Sequence, residues 1–337
     1  MFDKKPISIK DIAKLSGYSI ATVSRVINHK GQYSKETEQK ILNLIETYGY
    51  VSNNAAKSLR ASKSNTIGLI IPDITNEFYA TIALHVEHFF ADASYSVFVC
   101  NAANDPQKEL MYFRTLDSRL VDGIICISGL QYFPKNLTSR NIPIVCIDRY
   151  PDNQDNIPFV ASDDMDGSYQ ATEYLIQKGC RKILNIESYT ASYDKRLRTA
   201  GYEKALLKYG IPINKELYLR VTGRDPSHIE AEILLAEYLQ RGSTCDGIFA
   251  SSDRAALGSL YALQRYNLKI PEDVQIIGFD NTLYTILCSP TISTISRNTV
   301  AMAKKASQIL LDMICDKEPE QRQTIVPIDL ILRQSTH

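Results

Sequence analysis

Residues 9–28 read I-K-D-I-A-K-L-S-G-Y-S-I-A-T-V-S-R-V-I-N, and this stretch decides how the rest of the chain is interpreted. In its first half, apolar residues recur at helical spacing and form one stripe, made of Ile9, Ile12, Ala13 and Leu15. In its second half, a similar stripe is made of Val23, Val26 and Ile27. The pattern predicts two short amphipathic helices that are joined by a tight turn.

Short-range signals predict where these two helices begin and end. Ser8 stands before the first helix as its N-cap, and Asp11 follows three residues later, near the positive end of the helix dipole. Gly17 is free to take the left-handed backbone conformation that ends a helix, and Ser19 can cap the next one. The turn between the helices is therefore expected to be short.

The outer face of the second helix carries mostly small, hydroxyl, amide and guanidinium side chains, namely Ile20, Ala21, Ser24, Arg25 and Asn28. A helix with such a face is shaped to enter the major groove of DNA. A helical hairpin with a solvated outer face is the simpler interpretation, and it is the commoner fate of a single pattern of this kind. The residues that follow favour DNA binding.

The next segment completes a small helical module. Residues 34–37 predict the start of a third helix, whose apolar residues would close a three-helix core: Ile41, Leu42, Leu44 and Ile45. That helix is expected to stop at 48–50, which read Y-G-Y. Residues 53–60 (N-N-A-A-K-S-L-R) are compatible with a helix but have too few apolar residues to fold alone, so they need DNA or another partner to order them.

Three motifs lie together at a spacing that resembles the LacI/GalR family of bacterial transcription repressors: T-V-S-R-V-I-N at 22–28, Y-G-Y at 48–50 and N-x-A-A-x-S-L at 53–59. The resemblance covers essentially the whole chain. It implies a homodimer that binds a palindromic operator in double-stranded DNA, responds to a small-molecule effector and uses no cofactor.

The resemblance also implies which residues contact DNA. Ile20, Ala21 and Arg25 would face base edges in the major groove. Leu59, at the end of a hinge helix, would insert into the minor groove and kink the DNA; the alternative is that it docks on the following domain. The candidate DNA contacts are Ser8, Ile9, Ser19, Ile20, Ala21, Ser24, Arg25, Asn28, Thr37, Tyr50, Asn53, Ala56, Lys57 and Leu59.

The distribution of charge agrees with a DNA-binding N-terminal region. Residues 1–61 contain ten Lys or Arg and five Asp or Glu, so they carry a net charge of +5. The whole chain has 38 of each kind, which leaves 28 basic and 33 acidic residues in the remainder, or −5. The basic region supplies affinity for phosphate, and the acidic remainder discourages other contacts with DNA.

The remaining sequence predicts two α/β lobes. At 337 residues, the chain is long enough for the N-terminal module and two further domains. From Thr66 to Gly278, apolar stretches typical of buried strands alternate with amphipathic stretches typical of helices. This alternation predicts doubly wound parallel sheets with helices on both faces, and the resemblance implies lobes like those of periplasmic sugar-binding proteins.

The family resemblance implies that the chain crosses between the lobes three times, near 162, 290 and 322. The expected organisation is a helix-turn-helix domain at 1–52, a hinge helix and linker at 53–65, a first lobe at 66–162 plus about 291–322, and a second lobe at 163–290 plus about 323–337.

Two lobes of this class bind a ligand in the cleft between them, at the carboxyl ends of their strands. A sugar or sugar phosphate needs flat apolar side chains against its C–H faces and bidentate polar groups for its hydroxyls. The resemblance favours Arg198 and Asp280 in this role, and a salt bridge between the lobes is the alternative. The candidate effector contacts are Asp73, Asn76, Phe78, Tyr79, Arg198, Ser252, Asp253 and Asp280.

Some positions depart from the family pattern or allow a second interpretation. Glu77 stands where the family commonly has proline, and Ser252 replaces the usual asparagine. For Phe78, ordinary core packing is as good an interpretation as ligand stacking. Asp148 and Arg149 match family patterns but are interpreted as turn and strand-end residues.

The sequence argues against several other classes of protein. It has no G-x-S-x-G motif, no phosphate-binding glycine loop and no metal-ligand spacing beyond a weak H-x-x-H at 85–88, so an enzyme is not expected. A secreted sugar-binding protein would fit the two lobes but not the basic N-terminal region. A global catabolite regulator that depends on a co-repressor protein stays open.

No apolar run is long enough to span a membrane, and no signal peptide is visible, so the cytoplasm is the expected location. Seven cysteines are scattered at 100, 126, 146, 180, 245, 288 and 315 without a C-x-x-C pair. Several lie in apolar strand-like runs, so buried reduced thiols are expected rather than disulfides.

Overall fold

The computed structural model describes residues 7–50, 63–130, 132–149, 156–188, 193–222 and 227–337. The chain divides into two compact units, Met1–Ser64 and Asn65–His337. Residues 53–60, the expected hinge helix, lie outside the described residues. None of the helices in the described ranges has the length and hydropathy that crossing a membrane requires.

Among its described residues, the first unit has three helices: α1 (Ile9–Ser16), α2 (Ile20–Ile27) and α3 (Lys35–Tyr48). We call this three-helix region the head. Ser8 and Asp11 form a reciprocal capping box, and Gly17 ends α1 in the left-handed conformation at φ 76°. These features confirm the predicted boundaries of the first helix.

The core of the head is small and mainly apolar. It contains Ile12, Ala13, Val23, Val26 and Ile41, as the apolar stripes predicted. Two expected core residues are exposed instead: Leu15 by 46% and Leu42 by 38%. In α1 the buried stripe continues from Ile12 to Ser16, one turn later, so Leu15 falls on the neighbouring face.

The first lobe is a six-stranded parallel sheet with the order β11-β5-β4-β3-β1-β2. Its strands are β1 (Thr66–Ile71), β2 (Ser96–Asn101), β3 (Gly123–Cys126), β4 (Ile144–Ile147), β5 (Phe159–Ser162) and β11 (Gln323–Val326). Its helices are α4 (Glu77–Asp92), α5 (Pro106–Ser118) and α10 (Thr299–Ile314).

The second lobe has the same architecture with one reversed strand. Its order is β12-β10-β9-β8-β6-β7, and β12 runs antiparallel to β10. The strands are β6 (Ile183–Ser188), β7 (Tyr218–Val221), β8 (Gly247–Ala250), β9 (Gln275–Asp280), β10 (Ser293–Arg297) and β12 (Ile328–Ile331). The helices are α6 (Asp164–Gln177), α7 (Tyr193–Lys208), α8 (Ser227–Gln240) and α9 (Asp253–Arg265).

The central strands of both sheets are buried on both faces, which explains why they read as continuous apolar runs. In β1, Leu69 and Ile71 pack into one cluster and Ile70 into the cluster on the opposite face. In β8, Ile248 and Phe249 alternate in the same way. The two α/β lobes predicted from the sequence are therefore present.

The chain passes between the lobes after Ser162, after Arg297 and after Val326. The expected crossings near 290 and 322 are thus too early. Strand β10 pairs with β9 of the second lobe, and β11 pairs with β5 of the first. Periodicity identifies a strand but not the sheet that it joins, because pairing depends on distant partners.

The cysteines follow the expected pattern in part. All seven are free thiols, and Cys126, Cys146 and Cys180 are buried. Cys315 is exposed because it lies at the C-terminal end of α10, outside the apolar strand runs on which the expectation of burial was based.

Candidate functional site

The exposed face of α2 is the candidate DNA-binding surface of the head. Ile20 is 46% exposed, and Ala21 and Arg25 are also exposed, whereas Val23 and Val26 are completely buried. One face of α2 is therefore buried and the opposite face is exposed, as expected for a helix that enters the major groove.

Two of the candidate contacts on α2 are less available. The amide of Asn28 donates to the Ser24 carbonyl oxygen at 2.7 Å and lies 3.3 Å from the Ser24 hydroxyl. Both side chains are half-buried. The structure therefore uses the Asn28 amide to close the end of α2, a local role that the sequence pattern did not distinguish from base contact.

Hydroxyl side chains mark the N-termini of all three head helices. The Ser8 hydroxyl donates to Asp11 Oδ2 at 2.6 Å, and the Ser19 hydroxyl accepts from the Thr22 amide at 3.1 Å. Thr37, in the first turn of α3, is half-buried and lies 2.8 Å from the Ser34 hydroxyl. Helix N-termini present free N–H groups and a positive dipole end, which suits them to DNA phosphates.

The remaining head candidates divide into two groups. Ile9 and Tyr50 are half-buried, so each has an accessible edge. Asn53, Ala56, Lys57 and Leu59 lie outside the described residues.

In the second unit, the candidate effector residues gather where parallel strands of both lobes end. Asp73 follows β1, Ser252 follows β8, and Asp280 is the last residue of β9. The carboxyl edge of such sheets is where α/β folds bind ligands. We call this region the cleft.

Arg198 and Asp280 lie together in the cleft, on the second lobe. Arg198 Nε is 2.8 Å from Asp164 Oδ2, its Nη1 donates to the Ser251 carbonyl oxygen at 2.5 Å, and its Nη2 is 3.7 Å from Asp280 Oδ1. The guanidinium also stacks on Phe279, 3.9 Å from the ring centroid. The ion pair between Arg198 and Asp280 is thus within one lobe, not between the lobes.

A glycine fixes the position of Arg198. A Cβ at Gly201 would come within 2.1 Å of the Met165 carbonyl oxygen and of the Ser168 hydroxyl. Only glycine allows α7 to pack this closely on α6. That packing brings Arg198 next to Asp164 at the start of α6.

Arg297 is a cleft residue that the sequence analysis did not identify. Its Nε donates to the Ser162 hydroxyl at 2.6 Å and its Nη2 to Asp148. Its Nη1 is 3.4 Å from Asp280 Oδ1, and its Nε is 3.4 Å from Asp164 Oδ1. The available signal was its place as the last residue of a short strand-like run rich in β-branched residues, T-I-S-T-I-S-R, since the ends of strands are where cleft residues of this fold are found.

Phe78 and Tyr79 belong to both the core and the cleft. Each is at least nine-tenths buried and packs in the main apolar cluster of the first lobe. The Phe78 ring also stacks under the guanidinium of Arg297, at 4.1 Å from the ring centroid. The Tyr79 hydroxyl accepts from Arg149 Nη2 at 2.7 Å.

Asp148 and Arg149 lie at the end of a strand, as interpreted, but their side chains have a further role in the cleft. Asp148 does follow β4 directly, with φ at 66°, but its carboxylate is buried and binds Arg297. Arg149 is only 8% exposed and its guanidinium binds Tyr79. The sequence places both residues at the end of a strand, and the tertiary contacts bring their side chains into the cleft.

At the mouth of the cleft, two contacts join the lobes. Asp73 Oδ2 is 3.6 Å from Arg254 Nη1, and the Glu77 carboxylate accepts from the Leu283 amide at 2.9 Å. Asp73 also accepts from the amide and hydroxyl of Thr75, and Asn76 caps α4. Glu77 thus occupies the usual proline position with a bond across the cleft.

Ser252 and Asp253 take structural positions at the start of α9. The Ser252 hydroxyl caps the helix by accepting from the Ala255 amide at 3.3 Å. Asp253 is 1% exposed, and its carboxylate accepts from the Thr282 amide at 2.7 Å and the Thr294 hydroxyl at 2.5 Å. Burial raises the pKa of Asp253 to about 7. The structure therefore uses Asp253 to tie α9 to β10 instead of leaving its carboxylate open to a ligand.

Comparison with known proteins matches both units to described families. Residues 8–53 match the family model for bacterial regulatory proteins of the lacI family. Residues 64–334 match the model for periplasmic binding proteins and the sugar-binding domain of the LacI family.

Individual relatives agree over the whole length. The ribose operon repressor of Halalkalibacterium halodurans is 33% identical over 98% of this chain and 97% of that protein. A periplasmic binding protein/LacI transcriptional regulator from Alkaliphilus metalliredigens, solved with D-xylulofuranose, is 30% identical with a TM-score of 0.70, over 81% of this chain and 99% of that one. The lac repressor dimer bound to operator and an anti-inducer is similar in fold, with a TM-score of 0.86 and 22% identity over 98% and 99%.

Proposed function

The chain belongs to the LacI family of bacterial transcriptional regulators, and on that premise we propose which DNA and which effector it binds. It is a DNA-binding repressor whose activity is controlled by a small molecule. We infer a regulator, not an enzyme, that acts in the cytoplasm as a homodimer on a palindromic operator and responds to an uncharged sugar. One chain combines an exposed helix face in a basic head with a polar, aromatic-lined cleft, and this combination carries the proposal.

Base recognition is assigned to α2 of the head. Ile20, Ala21 and Arg25 are exposed on one face, and arginine recognises guanine through two parallel hydrogen bonds in the major groove. The N-termini of α1, α2 and α3 supply phosphate contacts that set the register of the helix on DNA. Asn53, Ala56, Lys57 and Leu59 stay part of the proposal as hinge contacts with the minor groove.

Exposed apolar side chains support the homodimer. In the first lobe, Phe98 and Val99 are 45% and 42% exposed on β2, which is an edge strand. In the second lobe, Leu283 is 53% exposed and Leu287 77% exposed. Apolar surface of this kind favours association, and two heads related by a two-fold axis would read the two halves of a palindrome.

The balance of charge in the cleft favours an uncharged effector. Arg198, Arg254 and Arg297 already have carboxylate partners, so a phosphate would have to displace a carboxylate from one of them. Sugar hydroxyls could instead donate to the carboxylates and accept from the guanidinium groups. The names of two relatives, a ribose operon repressor and a regulator bound to D-xylulofuranose, make a pentose the first ligand to test.

Thermal shift with the full-length protein tests the effector. We expect D-ribose or D-xylulose to raise the melting temperature and D-ribose 5-phosphate to leave it unchanged, because a ligand that binds only the folded state stabilises it. A larger shift with the phosphate would contradict an uncharged effector.

Selection of binding sites from random double-stranded DNA tests the other half of the proposal. We expect the enriched sites to be palindromes whose half-sites are separated by a multiple of about one helical turn. Recovery of asymmetric sites, or of no preferred sequence at low salt, would contradict it.

A further inference from the structure

One side chain connects the two lobes at the centre of the cleft. Arg297, at the end of β10, donates to Ser162 and Asp148 of the first lobe. The same guanidinium faces Asp280 and Asp164 of the second lobe, each at 3.4 Å. No rigid separation of the lobes could preserve both sets of contacts.

The neighbours of Arg297 include two of the candidate effector contacts, Phe78 and Asp280. The guanidinium lies 4.1 Å from the centroid of Phe78, with carboxylates of Asp148 and Asp280 facing its nitrogen atoms. A sugar would bind in the same manner, with a C–H face against the ring and its hydroxyls donating to the carboxylates. Arg297 thus uses the stacking face and the acceptors that such a ligand needs.

Arg297 is a buried charge, so moving it away from its partners is unfavourable. The residue is 3% exposed, and desolvation lowers its pKa to about 9, so it remains charged at neutral pH. A buried charge persists only where its partners compensate for the lost water, and removal of a partner is strongly unfavourable. A ligand that takes these partners must therefore supply replacements or move the arginine to solvent.

We propose that Arg297 is a tethered occupant of the effector subsite, which holds the lobes closed without effector and competes with the effector for Phe78, Asp148 and Asp280. The inference rests on the proposed function for the identity of the subsite. The closure can be tested without knowing the ligand. Competition of this kind lowers the apparent affinity for the effector, because the subsite is free in only a fraction of the molecules.

The closure is tested without any ligand by small-angle X-ray scattering and amide hydrogen exchange of the full-length protein. In Arg297→Gln, we expect a larger radius of gyration and faster exchange at 72–80 and 280–287, which face each other across the cleft. Arg140→Gln is the matched control, because it removes an arginine that pairs with Asp117 at 2.9 Å within the first lobe. The control should resemble the wild type. A folded Arg297→Gln protein with wild-type scattering and exchange would overturn the proposal.

A second variant covers the case in which Arg297→Gln does not fold. Asp148→Asn keeps the arginine and its bond to Ser162 and weakens only its bond to Asp148, so a smaller opening in the same direction is expected. Unchanged scattering and exchange in folded Asp148→Asn would overturn the proposal in that case.

Calorimetric titration with D-ribose tests the competition. We expect Arg297→Gln to bind D-ribose about tenfold more tightly than the wild type, because the subsite no longer has to be vacated. Weaker binding would make Arg297 a direct contact of the ligand and overturn the proposal. If neither protein bound D-ribose, the choice of sugar in the proposed function would be wrong, and the scattering comparison would still decide the closure.

Discussion

The head and the cleft are both proposed recognition sites, but they differ in how far apart along the sequence their stabilising contacts lie. In the head, the capping bonds Ser8–Asp11 and Ser19–Thr22 each join residues three apart. In the cleft, Arg297 binds Ser162 and Asp148, which are 135 and 149 residues away. A change in the head therefore removes one local bond, whereas a change in the cleft disturbs several coupled charges from four elements.

The largest effect is expected from a carboxylate shared by the cleft arginines. Asp164→Ala should lower the free energy of unfolding of the second unit by about 3–5 kcal/mol, because it removes one buried carboxylate that both Arg198 and Arg297 use. Urea unfolding followed by circular dichroism measures this.

Glu237→Ala is the matched control for that change. It removes an exposed carboxylate that pairs with Arg241 on the same helix, so a loss of only about 0–1 kcal/mol is expected. Equal effects of the two changes would mean that the cleft charges are no more coupled than surface charges.

The second prediction concerns pH. Burial raises the pKa of Asp253 in the folded state to about 7, above its ordinary value of 3.8. Between these two values the folded state holds a proton that the unfolded state has lost. Stability should therefore fall as pH rises from about 4 to about 7, by about 1.4 kcal/mol per unit from this group, and level off above that range.

Asp253→Asn should remove this contribution, since an amide does not titrate. Urea unfolding at a series of pH values compares the variant with the wild type. The same slope in both proteins between pH 5 and pH 7 would show that Asp253 does not titrate as described.

The range of contacts also explains what could be predicted from sequence. The head helices, their caps and the exposed face of α2 follow from neighbouring residues, and the structure confirms them except at Ser24 and Asn28, which are half-buried. The two α/β lobes were also predictable, because buried parallel strands leave a clear apolar pattern. Arg297 could not be assigned in the same way, since its partners Asp148, Ser162 and Asp280 meet it only after both sheets have formed.

The misassignments have a related cause. The sequence made Asp253 a candidate effector contact near the carboxyl end of a strand, but did not show that Thr282 and Thr294 would occupy its carboxylate. The sequence also could not assign β10 and β11 to a sheet, because the pattern of a short strand does not show which distant strand it pairs with. Position along the chain predicts at which edge of a sheet a residue lies, and only the packing of the folded chain decides what its side chain contacts there.

The third prediction returns to the head. Arg25→Ala should weaken binding to the selected operator by about 1–3 kcal/mol and reduce discrimination against random DNA, since a bidentate base contact would be lost. Lys35→Ala is the control: it removes an exposed charge at the start of α3 and should weaken all sequences about equally. Fluorescence anisotropy on operator and random duplexes measures both. An unchanged ratio of affinities in Arg25→Ala would show that α2 does not read bases through this residue.

The smallest effect is expected from the helix caps, where stability and recognition can be separated. Ser19 caps α2 and Ser34 caps α3 through the same bond to an amide three residues later, at 3.1 and 3.2 Å. Loss of either cap should cost about 1 kcal/mol, which amide exchange of the head in the full-length protein detects. Of these two side chains, only that of Ser19 is a candidate DNA contact, so Ser19→Ala should weaken operator binding more than Ser34→Ala at equal loss of stability. Equal losses of affinity would reduce the role of Ser19 to capping, and the head would then contact DNA through fewer hydroxyls than proposed.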